Sequence, residues 1–367
     1  MDKSLNILEA LGGKPATSFH EGLVAESIMT ILSNAGITHQ KDRYGNIVSK
    51  VMGSDRNVPA IAFVAHMDHP GFEIVSCQNN SVVASPLGGV PLASLEQSIK
   101  AFSFDAKGER VYCNLEPNPE GEERTVKVVS ESSLKPGAPI TFSLGDFRID
   151  DNFIWMRALD DLGGCAAIIS SLEKLKNLPL PCDVYGIFTR AEEVGLIGAR
   201  LLAGQNTIPQ DTFIVSVETS SVIPGVEQGN GPIIRTGDAS HTFDDEAERI
   251  LIKGREYIRK EDPNFECQRQ LMSAGSCEAS AFAVNGYRTT GIAFALGNWH
   301  NATSFISDKA GGVGEEYISI NDFKGGIKLI VSSVLSVSEE YESFAPSLYR
   351  QVPLEYRKRL KSCEAGN

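Results

Sequence analysis

Residues 59–66, PAIAFVAH, place six apolar residues between a proline and a histidine. An apolar run of that length with no polar alternation predicts a strand covered on both faces. The same texture returns at CDVYGIFTR (182–190), TFIVSVE (212–218) and TTGIAFALG (289–297). Between these runs the period lengthens. GLVAESIMTILSNA (22–35) sets Val24, Ile28 and Ile31 on one helical face, with Gly36 as a stop. Further helices are expected at GGCAAIISSLEKLKNL (163–178), VGLIGARLLAG (194–204), CEASAFAVNG (277–286) and DFKGGIKLIVSSVLSVSEEY (322–341). KDRYGNIVSKV (41–51) reads as a hairpin with a Gly-Asn turn. Alternating buried strands and helices predict an α/β fold, a mostly parallel sheet sandwiched by helices.

From about residue 71 to 154 the texture changes. FEIVSC, SVVAS, AFSFDA, VYCNL, TVKVVS and ITFSL alternate with breaks rich in Gly, Pro and Asn. Short strands with frequent turns suggest a small all-β barrel or sandwich. The chain is therefore expected to hold a discontinuous α/β domain, 1–70 and 152–367, interrupted by a β domain at 71–151. The last segment, PLEYRKRLKSCEAGN, is charged and is expected to lie at the surface with a frayed end.

Composition narrows the function. The 367 residues carry a formal charge of −13 and an isoelectric point near 5.0. Such a surface repels phosphate backbones and anionic lipid, so neither nucleic acid nor membrane is an expected partner. No apolar run approaches the ~20 residues that span a bilayer. The start, MDKSLNILEALGG, is amphipathic through Leu5, Leu8 and Leu11 and has no signal-peptide pattern, so a cytoplasmic location is expected. Seven cysteines without CxxC spacing argue against a disulfide framework or a structural zinc finger. NAT at 301–303 matches a glycosylation acceptor, a chance match without secretion.

In open parallel sheets, ligands bind beyond the carboxyl ends of the strands. There this chain places His66 and Asp68, then Glu192-Glu193, then Glu218, then His300, with Asp160-Asp161 where a connection enters a helix. Singly, each has an ordinary explanation: helix-capping aspartates, first-turn glutamates, a loop-bonding glutamate, a structural histidine. Together they would place several carboxylates at one edge, where they repel one another. Divalent cations would remove that repulsion.

Two imidazoles with three carboxylates suit zinc, with cobalt or manganese as neighbours, rather than calcium or magnesium. A carboxylate can bridge two ions, an arrangement suited to hydrolysis. Of Glu192-Glu193, one member can ligate while the other reaches a water as general base. Asp68, two residues after His66, suits a residue that orients a ligand histidine.

AHMDHPGFEIV, ALDDLGGCAA, FTRAEEVGLIGAR and GNWHN, in that order, resemble the glutamyl and tetrahedral aminopeptidase family of dinuclear metallopeptidases; KDRYGNIV and GNGPII fit it as well. The resemblance covers roughly residues 5–335. It implies a zinc-peptidase-like α/β domain with an inserted β domain, and two divalent ions per chain. His66 and Glu218 would hold one, Glu193 and His300 the other, with Asp160 bridging. Glu192 would be the general base and Asp68 the orienting residue. The implied activity is removal of N-terminal residues from peptides by a homo-oligomer, anywhere from a dimer to a dodecamer. Three positions depart from the family pattern: Glu218 for an aspartate, Cys277-Glu278 for Thr-Asp, and His-Pro-Gly after Asp68. Glu278 is a candidate for the substrate amine, and His69 is expected to be an exposed loop residue. A deacylase or carboxypeptidase-like amidohydrolase, or an inactive peptide-binding relative, are the alternative readings; the early position of the β segment favours the aminopeptidase.

Overall fold

Ile61–His66 is a strand with all six residues buried, flanked by Val184–Thr189, equally buried, and by Phe213–Ser221. The computed structural model describes residues 2–78, 81–339 and 351–364. Arg288–Leu296 adds a fourth strand, and all four run parallel, with Thr189 opposite His66 and Leu296 opposite Ser221. Register therefore brings several carboxyl ends to one edge. Side chains alternate across the sheet. Ala62 and Val64 pack with Leu202, Phe282 and Tyr287 on one face. On the other face Gly186, paired with Phe63, leaves room for the helix Leu159–Leu175. A Cβ at Gly186 would lie 2.6 Å from Leu172 Cδ1.

The sheet has eight strands and is mixed, with four parallel pairings and three antiparallel ones. Thr38–Lys41 and Ile47–Val51 form the expected hairpin, beginning at 38, and its antiparallel return carries over to Val184–Thr189. Ile233–Gly237 runs antiparallel to Arg288–Leu296, and Gln268–Leu271 completes the far edge. These last two strands and the helix Asp245–Arg259 were not anticipated, because polar residues interrupt each.

Helix bounds differ from expectation at their ends. The helix Gly22–Asn34 buries Val24, Ile28 and Leu32, a strict i, i+4 row, and leaves Ile31 half-buried. Other helices are Ile197–Ala203, Glu278–Ala283 and Ile320–Leu335. Residues 340–341 of the expected final helix lie outside the described residues.

Six strands between Gly71 and Phe142 close into a barrel, each corresponding to one of the six alternating stretches. Phe72, Ile74, Leu115, Val126, Ile140 and Phe142 fill it, the Phe72 and Phe142 rings meeting edge to face at 5.9 Å. Arg148–Asp150 instead pairs with Phe153–Met156, which pairs in turn with Glu316–Ser319, as a small three-stranded sheet.

The chain divides into two compact units, Met1–Val337 and Ser338–Asn367. In the second, Leu354–Glu364 is a helix whose described side chains are exposed; residues 365–367, expected to fray, lie outside the described residues. No helix among the described residues is long and apolar enough to cross a membrane. The six cysteines described are all free.

Candidate metal centre

Six of the predicted residues, His66, Asp160, Glu192, Glu193, Glu218 and His300, line one cavity of about 600 Å³ at the carboxyl edge of the parallel strands. Their sequence separations are bridged by topology: His66 ends its strand, Glu192-Glu193 follow Thr189, Glu218 lies late in Phe213–Ser221, and His300 sits in a short 3₁₀ turn after Arg288–Leu296. Asp160 and Asp161 depart from helical geometry at the start of Leu159–Leu175, and their peptide bond is cis. Gly164 lets that bend approach the sheet, since a Cβ there would lie 2.1 Å from the Val217 carbonyl oxygen.

Each histidine is fixed through Nδ1. His66 Nδ1 donates to the Asp68 carbonyl at 3.0 Å, and His300 Nδ1 to the Gly89 carbonyl at 2.7 Å. A carbonyl only accepts, so Nε2 is the free nitrogen of each neutral ring. His66 Nε2 faces Asp160 Oδ1 at 3.2 Å; His300 Nε2 faces Glu193 Oε2 at 3.4 Å and Asp160 Oδ2 at 3.6 Å. Both Nε2 atoms thus face carboxylates. Asp160 Oδ1 and Glu193 Oε1 are buried and make no hydrogen bond among the described residues. Ligand atoms of His66, Asp160 and Glu193 lie within 4.8 Å of one another, as do those of His66, Asp161 and Glu218.

The electrostatics follow from this crowding. Burial, reinforced by mutual repulsion, pushes Glu192, Glu193, Glu218 and Asp161 well above the usual carboxylate range. Burial acts the same way on Asp160, but the neighbouring His66 and His300 outweigh it and hold that carboxyl low. Burial opposes the charged form of His66, yet Glu192, Asp160 and Glu218 together raise it well above its ordinary value. Burial lowers His300 to about 4, so at neutral pH its Nε2 is a lone pair.

Asp68 does not orient His66 through its carboxylate, which is 3.7 Å from Nδ1; the backbone carbonyl does that. The carboxylate accepts from Ser18 Oγ at 2.7 Å and from the backbone N–H groups of Glu192 and Glu193 at 2.9 and 3.2 Å. Glu278 is fully buried and off the cavity wall, accepting from Thr189 Oγ1 at 3.0 Å and Ser216 Oγ at 3.3 Å. It stands behind Glu218 rather than facing a substrate amine. His69 is not an exposed loop residue: only 1% of its surface is accessible, because Asp160 and Asn301 close around it. Asn301 is buried as well, which removes the glycosylation match.

Two participants have no expected role in the sequence, and a third stands closer than expected. Asp161, expected beside the site with the bridging role given to Asp160, stands among the ligand candidates, and adjacency alone does not separate the two. Glu316 Oε2 accepts the Asp160 N–H at 3.0 Å, with no sequence signal at all. Arg235, 3% exposed, lines the cavity, and its Nε and Nη1 make no hydrogen bond among the described residues. Its signal was a lone cation within PIIRTG.

Comparison with known proteins places these observations among relatives. The profile of the M42 glutamyl aminopeptidase family matches residues 123–310, just over half of the chain. The glutamyl aminopeptidase of Lactococcus lactis is 25% identical over 307 residues, covering 76% of this chain and 84% of that protein. Among solved structures, the Pyrococcus horikoshii TET1 peptidase superposes with a TM-score of 0.74 at 22% identity, covering 91% of this chain and 99% of the other. The TET aminopeptidase of Thaumarchaeota archaeon SCGC AB-539-E09 gives 0.76 at 20% identity, covering 92% and 98%.

Proposed function

The chain belongs to the M42 glutamyl aminopeptidase family and is an aminopeptidase, and we propose that it releases N-terminal residues from peptides with a dinuclear metal site. The observation that carries this reading is the convergence of His66 Nε2 and His300 Nε2 on carboxylates whose Asp160 Oδ1 and Glu193 Oε1 have no hydrogen-bond partner among the described residues. Cations between them would satisfy every one of these atoms. The donor set fits zinc, with cobalt or manganese as substitutes. His66 and Glu218 would hold one ion, Glu193 and His300 the other, and Asp160 both. When bound, such ions supply Lewis acidity to the scissile carbonyl and make an attacking water acidic.

The remaining chemistry belongs to side chains. Glu192 stands on the cavity wall, its Oε2 3.8 Å from His66 Nε2. As carboxylate it would take a proton from the attacking water and, once protonated, deliver that proton to the leaving amine; burial strengthens its hold on the proton in between. Asp68 holds Glu192 and Glu193 in place through their amides. Asp161 and Glu278 back Glu218 from within the protein.

Arg235 supports an acidic N-terminal side chain as the preferred substrate. A buried guanidinium on the cavity wall whose Nε and Nη1 have no hydrogen-bond partner among the described residues would be completed by a substrate carboxylate. The Lactococcus lactis relative is named for glutamyl substrates. The proposal also includes the inserted β domain at 71–151, a cytoplasmic location and a homo-oligomeric working form; the Pyrococcus horikoshii TET1 peptidase assembles into a tetrahedron or a large octahedral shell.

The test is metal content by elemental analysis, with hydrolysis of a panel of aminoacyl p-nitroanilides before and after zinc or cobalt is added. Two equivalents per chain are expected, with release of N-terminal residues that Glu192→Gln lowers about 10²–10⁴-fold while the metal stays bound. Two ions with cleavage only of N-acylated or C-terminal substrates would overturn the aminopeptidase mechanism. A chain that binds no zinc would overturn the dinuclear site.

A further inference from the structure

His69 takes no part in the roles above, yet it is enclosed between the two segments that carry Asp160 and His300. Its Nδ1 lies 2.7 Å from the Asp160 carbonyl oxygen and its Nε2 2.8 Å from Asn301 Oδ1. The orientation of Asn301 is fixed independently, because its Nδ2 donates to the carbonyls of Arg157 at 2.8 Å and Gly314 at 3.1 Å. That leaves Oδ1 turned toward His69. Both partners are acceptors, so the neutral ring donates to one of them at a time, and the imidazole is packed between the Asp160 bend and the turn that carries His300.

The turn needs such a brace. Asn298, His300 and Asn301 have φ of 53°, 55° and 64°. Non-glycine residues hold that left-handed conformation only where surrounding contacts over-determine it. Asn301 is held from three sides: Arg157 leads to the chain that enters the Asp160 bend, and His69 reaches the bend at Asp160 itself.

Resting on the dinuclear reading, we propose that His69 is a positioning residue that sets the spacing between Asp160 and His300, so that occupancy of the metal centre depends on it. An apolar side chain of similar size would fill the space but leave the Asp160 carbonyl and Asn301 Oδ1 buried without this partner. The bend and the turn would then be coupled through fewer contacts, those of Asn301 with Arg157 and of Glu316 with Asp160. Residues 66–69 thus supply a ligand, the support of the Glu192–Glu193 turn and this brace from four consecutive positions.

The experiment compares His69→Leu, His69→Asn and His69→Gln in the full-length protein. An asparagine amide can replace the Nδ1 contact only, and a glutamine amide the Nε2 contact only. Zinc affinity is read by competition with a chromophoric chelator, and kcat and KM at saturating zinc. His69→Leu is expected to weaken at least one zinc equivalent about 10–100-fold. The Asn and Gln variants should each recover part of that loss, and at saturating zinc the residual defect should fall on kcat rather than KM. Variants with native near-ultraviolet circular dichroism and wild-type zinc affinity would overturn the proposal; should His69→Leu fail to fold, wild-type affinity in both amide variants does so. A wild-type chain that binds no zinc would overturn the dinuclear reading itself, and that result is distinguishable because it precedes any variant.

Discussion

Asp68 Oδ1 accepts the backbone N–H of Glu192 at 2.9 Å, across 124 positions of sequence. With Oδ2 receiving the Glu193 N–H and the Ser18 hydroxyl, one buried carboxylate fixes the turn that presents both glutamates. Asparagine offers a single acceptor there. Asp68→Asn is expected to lower kcat about 10–100-fold while both zinc equivalents remain. Steady-state kinetics beside elemental analysis check this; a fall in metal content without a fall in kcat per bound metal would contradict it.

Gly89 supports His300 through its carbonyl and leaves no space of its own. A Cβ at that position would lie 2.8 Å from His300 Nδ1. Gly89→Ala should therefore displace the imidazole, weakening zinc binding by about tenfold or more. Chelator competition measures it directly. Unchanged affinity would mean that the loop after Leu87 yields without moving His300.

The metal-free protein should lose stability as pH rises. Burial, with repulsion between neighbours, raises Glu192, Glu193 and Glu218 well above their ordinary value of 4.5. Their contribution is complete below that unfolded value and is lost as pH climbs through the raised folded values. His66, also raised, acts in the same sense, being fully favourable below its ordinary 6.5. His300, lowered to about 4, acts oppositely and costs stability below 6.5. Calorimetry with a chelator present should show the melting temperature falling from about pH 5 to about pH 8. Zinc should reverse the fall, with about 2.7 kcal/mol per site expected at a hundredfold excess over Kd. A chelated protein as stable at the upper end of that range as at the lower would remove the crowded-carboxylate account.

Arg235→Met should lower kcat/KM for a glutamyl p-nitroanilide about tenfold or more relative to the glutaminyl substrate, because the charge-assisted hydrogen bonds disappear. Folding should tolerate a flexible apolar side chain of similar length. A parallel loss on both substrates would assign Arg235 to supporting Glu218 instead.

The sequence by itself determined a good deal. Continuous apolar runs and period-3.6 patterning produced the four buried strands and most of the helices that pack on them, and the polar residues at the ends of those runs named the site. This was legible because a buried strand must be apolar along its length, so His66, Glu192, Glu193 and Glu218 stand out where it stops. Polar-rich elements such as Asp245–Arg259 and Gln268–Leu271 carry no such contrast and stayed invisible. What only the tertiary structure decided was partnership. His69 and Glu278 looked like loop and pocket residues because sequence records their chemistry and not their neighbours; register and burial turned His69 toward Asp160 and Asn301, and Glu278 away from the cavity. Asp68 was recognised, but its carboxylate serves the Glu192–Glu193 turn, since a contact across 124 positions exists only once Ile61–His66 and Val184–Thr189 lie side by side.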